Sequence, residues 1–131
     1  MNSIITRTID RGFTFEDVEV GQEIEQFGSV KAIIAKILHL ENEAAISGVY
    51  IRPNGKLGHH QAVTSQLFLL VQGDGWVRGE TEEKVIVHEG QAIFWEQGEW
   101  HESGSENGMT AVIIEGIHID PAELMPPLRT D

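Results

Sequence analysis

Short stretches rich in Val, Ile, Phe and Trp alternate with glycine-containing turns along most of the chain. Strands and turns repeated at this spacing are typical of an antiparallel sandwich or barrel. The pattern predicts strands at Val30–His39, Ala45–Arg52, Ser65–Gln72, Trp76–Arg78, Lys84–His88, Gln91–Trp95 and Met109–Ile117. We therefore predict an all-β fold, and the length of 131 residues corresponds to a single domain, 1–131.

Several turns are also predicted. Gly73-Asp74-Gly75 lies between two apolar runs and predicts a hairpin, because glycine adopts positive φ without strain. Pro53-Asn54-Gly55 and Glu89-Gly90 are turn signals of the same kind. The polar segment Thr14–Gln26 fits either a short helix or an edge strand, and Ala122–Met125 fits one helical turn after a proline.

Charge and composition exclude several classes of partner and site. The chain has 21 acidic and 9 basic residues and a formal net charge of -12, which repels nucleic-acid backbones and anionic membranes. It has no cysteine, so disulfides, thiolate metal sites and a cysteine nucleophile are excluded. We see neither a membrane-spanning apolar run nor a secretory signal, and we therefore expect a soluble, cytoplasmic protein.

The candidate chemistry lies in three of the six histidines. His59 and His60 are adjacent, and adjacent residues of a strand point to opposite faces. Counting by twos from Gln66 selects His60 as the inward residue, whereas a bulge would select His59 and Gln61. If pairing of distant strands brings His101 to this point, the imidazoles and the Gln66 amide oxygen suit Zn, Fe, Mn, Ni or Cu. His39, His88 and His118 are isolated, and we expect them to be surface or half-buried residues.

Two separated segments resemble the two characteristic motifs of the cupin superfamily. The first is Gly58-His59-His60-Gln61 followed by residues 66–73, in which Gln66 and Gly73 have the spacing of that motif's Glu and Gly. The second places Gly90, Gly98 and His101 at the spacings of the other motif. The resemblance covers about 48–117, and it implies a jelly-roll barrel, or double-stranded β-helix, at about 28–118.

The resemblance also implies a metal site. The family's ligands are two histidines and a glutamate of the first motif and a histidine of the second. His101 matches the last of these, and Gln66 stands in place of the glutamate. The first histidine is either His59, with Gln61 in the second position, or His60, with Ala62 there. The implied cofactor is a divalent transition metal (Zn, Fe, Mn or Ni) on an incomplete ligand set.

Further residues are candidates for a ligand pocket near the motifs. The aromatic residues Phe68, Trp76, Trp95 and Trp100 form either core packing or an apolar barrel mouth that binds a small organic molecule. Tyr50 and Arg52 share one face of a strand. If that face is inward, Arg52 can pair with a carboxylate ligand, and otherwise it pairs with a surface acid.

Three functions remain open from the sequence. The first is a non-catalytic module that binds a small molecule, a metal or both, which the missing carboxylate and second histidine favour. The second is a metal-dependent enzyme, such as an oxygenase or isomerase, acting on a small organic substrate. The third is a purely structural barrel. The resemblance also implies a homodimer, in which residues 1–27, with the apolar Ile4, Ile5 and Ile9, pack on the partner.

Overall fold

The computed structural model describes residues 12–15 and 19–128, and these form ten strands and two short 3-10 turns. The strands are β1 Gly12–Thr14, β2 Gln22–Ile24, β3 Ala32–Ile34, β4 Ala44–Ile51, β5 Gly55–Gln61, β6 Ser65–Arg78, β7 Val85–His88, β8 Gln91–Trp95, β9 Trp100–Ser105 and β10 Met109–Gly116. The 3-10 turns are Gln26–Gly28 and Pro121–Glu123. Every described strand pair is antiparallel, which confirms the all-β prediction.

The strands form two packed layers that share one long strand. The first layer has the order β1-β8-β6-β10-β4, and the second contains β5, β9, β7 and the C-terminal half of β6. β6 pairs with β8 and β10 near its start and with β7 and β9 near its end. The short β2–β3 hairpin is a separate two-stranded sheet.

The predicted hairpin at Gly73-Asp74-Gly75 is wrong, because β6 runs through these residues as one strand. The register with β10 shifts between Thr110 and Ala111, so β6 contains a bulge just before Gly73. Gly73 has a φ of 89°, and a Cβ there would collide with the carbonyl oxygen of Gly108. The glycines therefore allow a bend and a close strand contact within β6 instead of a chain reversal.

The continuous apolar run Leu67–Val71 at the start of β6 predicts burial on both faces, and Leu67–Leu70 are buried whereas Val71 is exposed. One face contributes Phe68 and Leu70 to the core between the two layers. The opposite face contributes Leu67 and Leu69 to a second cluster, which also contains Met125 from the C-terminal segment. The core between the two layers, called the inner core below, lines the bottom of the barrel interior.

Strand prediction failed where the local pattern is polar. β5 and β9 were not predicted, because their sequences GKLGHHQ and WHESGS lack an apolar alternation, and each is ordered by pairing with the other. Within Val30–His39 only Ala32–Ile34 is a strand. The undecided segment Thr14–Gln26 contains β2 and the end of β1, and the predicted helical turn near Ala122–Met125 is the 3-10 turn Pro121–Glu123.

Two further observations concern the membrane and the chain start. No helix in the described part of the chain is long and apolar enough to cross a membrane. Ile4, Ile5 and Ile9, which we expect at a dimer contact, lie outside the described residues.

Candidate functional site

His60 and His101 face each other across neighbouring strands. The register of β5 and β9 shifts between Leu57 and His60, so that Leu57 lies opposite Ser103 and His60 lies opposite His101. The two imidazole ring centroids are 4.5 Å apart. A bulge in β5 therefore places His60 opposite His101, and of the two His101 is buried whereas His60 is exposed.

Both rings are oriented by backbone carbonyl groups. Nδ1 of His60 lies 2.6 Å from the oxygen of Gly58, and Nδ1 of His101 lies 3.3 Å from the oxygen of Glu99. A carbonyl oxygen only accepts hydrogen bonds, so Nδ1 is the protonated nitrogen in each neutral ring. Nε2 then keeps its lone pair, which is the arrangement found in metal-ligating histidines.

The pKa of His101 is lowered from its ordinary value of 6.5. Burial is the main cause, because the charged ring loses its hydration, and positive charge on His60 and His59 acts in the same direction. The hydrogen bond to Glu99 and the negative charge of Glu115 oppose this shift without cancelling it. His101 is therefore neutral at pH 7, as a metal ligand or a hydrogen-bond acceptor must be.

We expect His101 to make folding stability depend on pH. In the unfolded chain this ring gains a proton near pH 6.5, whereas in the folded protein it does so only at lower pH. The unfolded state then binds more protons, so the contribution of His101 to stability decreases as the pH falls through 6.5 and stops changing below the folded pKa. Urea unfolding of the metal-free protein between pH 7.5 and 5 measures this, and His101→Gln should flatten the profile. Equal slopes in both proteins would contradict the assignment.

A buried amide and a carboxylate form the next part of the site. Gln66 is buried, and its Nε2 donates a 2.8 Å hydrogen bond to Oε1 of Glu115 on β10. Gln66 also lies opposite Trp95 of β8, whose ring stacks on His101 with centroids 5.3 Å apart. The interior thus contains a series of neighbouring residues, in the order Glu115, Gln66, Trp95 and His101.

Glu115 was missed by sequence reasoning, which expected the amide of Gln66 to take part in a metal site. The available signal was that Glu115 is the one charged residue in the apolar segment Met109–Ile117. A charged side chain is unusual in a buried strand unless it is paired or has a function.

His59 and Gln61 point away from His101. Nε2 of His59 lies 2.9 Å from the carbonyl oxygen of Gly79, and its ring is 5.1 Å from that of Trp100. Gln61 is exposed and donates a hydrogen bond to the carbonyl oxygen of Gly98. The bulge lies before His60, so that His60 and not His59 is paired with His101 across the two strands.

The predicted pocket residues divide between the inside and the outside of the barrel. Phe68 and Trp95 belong to the inner core. The ring of Trp76 covers Gly104 and carries Nζ of Lys84 at 4.0 Å, and Trp100 is partly exposed beside His59. Trp76 and Trp100 therefore lie outside the core between the two layers, and Trp100 lines a surface pocket together with His59 and Glu80.

The structure also corrects the expectation that Tyr50 and Arg52 line a ligand pocket. Both are exposed, whereas Ile51 between them is buried in the inner core. Because alternate residues of a strand share a face, this places Tyr50 and Arg52 on the outer side of the layer. Arg52 does not line the interior, where it would meet a carboxylate ligand.

The residues present fit a metal only in part. Within 12–15 and 19–128, no group of three or more His, Asp or Glu side chains is gathered closely enough to hold a metal ion. His60 and His101 offer two imidazole nitrogens, and the amide oxygen of Gln66 is a neutral third donor. Ala62, buried beside them, stands at the position of the family's second histidine. This donor set is compatible with a divalent transition metal held more weakly than by a complete set.

No family model matches the chain, and no curated protein sequence matches it. Solved structures do match. A cupin superfamily protein from Desulfitobacterium hafniense DCB-2 has a TM-score of 0.54 and 13% identity, over 66% of this chain and 79% of that chain. A Cupin 2 conserved barrel domain protein from Salinispora arenicola CNS-205 has a TM-score of 0.51 and 12% identity, over 57% of this chain and 64% of that chain.

A third match has a named activity. A DMSP lyase from Ruegeria pomeroyi DSS-3 has a TM-score of 0.51 and 17% identity, and the match covers 56% of this chain and 38% of the lyase. At such low identity the likeness concerns the fold alone. The antiparallel layers, the paired motif strands and these structural neighbours lead to one conclusion, that the chain has the cupin-type β-barrel fold.

Proposed function

We propose that this protein is a binding module whose barrel interior takes a small molecule, a divalent transition metal (Zn, Fe, Mn or Ni), or both. The observation that carries the proposal is the pairing of His60 with His101. Their rings are in register across β5 and β9, and each has Nδ1 hydrogen-bonded to a carbonyl group and Nε2 free. Two such nitrogens side by side can supply two ligands to a metal ion or two acceptors to a bound small molecule.

The surroundings support binding of a small ligand. Trp95 supplies an aromatic wall against His101, and Phe68 belongs to the apolar floor. Gln66 adds a polar amide whose orientation is set by Glu115. An apolar interior with a few fixed polar groups is the usual character of a small-molecule site. With alanine and glutamine at two of the family's four ligand positions, binding is favoured over catalysis.

A titration of the purified protein with Zn²⁺ and Ni²⁺ tests this function. We expect one equivalent of metal to bind at pH 7.5, and His101→Ala to weaken its affinity by at least about 100-fold, because the loss of a direct ligand exceeds that of an outer hydrogen-bond partner. His88→Ala is the matched control, since His88 is an exposed histidine on β7 and its loss should change nothing. No binding by the wild type, or equal loss in both variants, would refute the metal part of the proposal.

A metal-dependent enzyme, of the oxygenase or isomerase kind or similar, is the second candidate function. The observation in its favour is a half-buried carboxylate, that of Glu115, in the same interior as the neutral ring of His101. A carboxylate and a neutral imidazole are the side chains most often used for proton transfer. A turnover screen of small organic substrates with metal-loaded protein, with His101→Ala as the inactive reference, separates catalysis from binding.

We also propose that the protein forms a homodimer through β4. Within the described chain β4 pairs only with β10, and its residues 44–51 include no charge and no proline. Ile46 is 66% exposed and Tyr50 is 76% exposed on this strand. Edge strands of monomers are usually protected by charges. An uncharged edge is also the surface at which two chains of net charge -12 can approach each other.

Light scattering checks the oligomeric state. We expect twice the chain mass of 14.6 kDa for the wild type and the monomer mass for Ile46→Lys. Val63→Lys is the control, because Val63 is also an exposed apolar residue but lies outside β4. A monomeric wild type would contradict the proposal, and so would a dimer that persists in Ile46→Lys.

A further inference from the structure

A small surface pocket lies at the start of β9, beside the loop that follows β6. It is lined by His59, Trp100 and Glu80 and has a volume of about 270 Å³. The ring centroids of His59 and Trp100 are 5.1 Å apart and the ring planes are tilted by 32°, so the two rings diverge. Trp100 is 39% exposed, which leaves part of its ring accessible to a ligand. A pocket of this size accommodates a group of a few atoms.

Backbone contacts hold both sides of the pocket in place. Nε2 of His59 lies 2.9 Å from the carbonyl oxygen of Gly79, which is itself buried. Because a carbonyl oxygen only accepts hydrogen bonds, Nε2 is the protonated nitrogen of the neutral ring, and Nδ1 keeps its lone pair. On the other side, Nη1 of Arg78 donates a 2.9 Å hydrogen bond to the carbonyl oxygen of Thr81, in the loop that carries Glu80. The pocket is therefore formed before any ligand binds.

Glu80 has no counter-charge in the part of the chain that the structure describes. It takes part in none of the ion pairs or hydrogen bonds found there. The nearest basic residues along the chain are engaged elsewhere. Arg78 is paired with Glu102, and Nζ of Lys84 lies 4.0 Å from the centroid of the Trp76 ring. The loop also carries two further glutamates, so the local electrostatic field attracts cations.

An aromatic ring beside an unpaired carboxylate is suited to an organic cation, because the face of the ring carries partial negative charge. The contact of Lys84 with Trp76 shows the same interaction elsewhere in this chain. We propose that the pocket binds an organic ammonium ion that carries N–H groups, with Glu80 as counter-charge, Trp100 as aromatic wall and Nδ1 of His59 as hydrogen-bond acceptor. The pocket is separate from the barrel interior, so this inference goes beyond the proposed function and does not depend on it.

A titration with propylammonium chloride at pH 7.5, followed by ¹H–¹⁵N NMR, tests the inference. The indole N–H signal of Trp100, identified by its absence from the Trp100→Phe spectrum, should shift to saturation, whereas equal concentrations of NaCl should leave it in place. Glu80→Gln should weaken binding by at least about threefold, as expected for the loss of an exposed ion pair. Glu82→Gln is the matched control, because it removes the same charge from the same loop but lies outside the pocket. Its affinity should equal that of the wild type.

Two further measurements locate the ammonium group. Tetramethylammonium has no N–H group and should bind more weakly than propylammonium, since Glu80 and His59 then have no hydrogen bond to accept. His101→Ala removes a side chain of the barrel interior and should leave the propylammonium affinity unchanged.

The inference is overturned if the Trp100 signal of the wild type does not shift. Equal weakening in Glu80→Gln and Glu82→Gln also overturns it, because net charge alone would then explain the binding. Tetramethylammonium binding as tight as that of propylammonium contradicts the assigned role of His59. A loss of affinity in His101→Ala places the amine inside the barrel and contradicts the surface pocket.

Discussion

The Gln66→Glu variant is expected to be less stable than the wild type by about 3 kcal/mol at pH 7, because it places a second carboxyl group beside a carboxylate at a buried position. Gln66 is buried, and its amide nitrogen is 2.8 Å from an oxygen of Glu115. The variant replaces this hydrogen bond with two adjacent carboxyl groups, which cannot both be ionised at such a distance. The folded variant therefore keeps a proton that the unfolded chain releases.

The pH dependence identifies the cause. Because the folded state of Gln66→Glu binds more protons than the unfolded state at pH 7, its stability should recover as the pH is lowered toward 5. Saturating Zn²⁺ or Mn²⁺ should also restore stability, since a cation neutralises the pair. Gln72→Glu is the control, an exposed position on the same strand, and should change stability by less than about 0.5 kcal/mol. Urea unfolding measures all three proteins, and a Gln66→Glu variant as stable as the control would contradict the contact.

The second large effect is expected at the ion pair beside the site. Arg78 of β6 donates a 2.6 Å hydrogen bond from Nε to Glu102 of β9, and Nζ of Lys56 on β5 lies 3.4 Å from the other carboxylate oxygen. The hydrogen bond from Arg78 lowers the pKa of Glu102 below its ordinary value of 4.5. The side chains of Glu102 and Arg78 are only 8% and 15% exposed. These contacts join β5, β6 and β9, three of the four strands of the second layer.

Glu102→Ala should destabilise the protein by about 3 kcal/mol, because it leaves a nearly buried guanidinium without its carboxylate. The lower end of the range for such changes applies, because Lys56, the second cation beside Glu102, is 62% exposed to solvent. Denaturant unfolding gives the value. In a double-mutant cycle with Arg78→Met, most of the stability lost in Glu102→Ala should be measured as coupling energy between the two side chains. Additive losses in the cycle would show that the two side chains act independently.

Where the local pattern is apolar, the sequence was a good guide to the fold. The runs in β4, β8 and β10 predicted strands close to those observed, because alternating or continuous apolar residues are stable only on a buried sheet surface. The run in β6 predicted its first half but not its continuation to Arg78. The same reasoning predicted that Leu67–Val71 is covered on both faces, which holds for Leu67–Leu70 and fails for Val71, whose side chain is exposed.

Polar strands could not be predicted in this way. β5 and β9 carry the site histidines, yet their sequences contain lysine, glycine, serine and glutamate. Each forms because the other satisfies its backbone hydrogen bonds, which is a long-range condition. The Gly73-Asp74-Gly75 signal was misleading for a related reason, since close packing against β10 uses the glycines within a strand.

The amino-acid sequence by itself determined the all-β class, the two histidine-containing motifs and the glutamine in place of a glutamate. Those depend on residue types and their spacing along the chain. Only the tertiary structure decided that His60 faces His101, that Tyr50 and Arg52 face outward, and that Glu115 contacts Gln66. The reason is geometric: one bulged residue reverses the facing of every side chain beyond it, and a cross-strand neighbour is chosen by register instead of sequence distance.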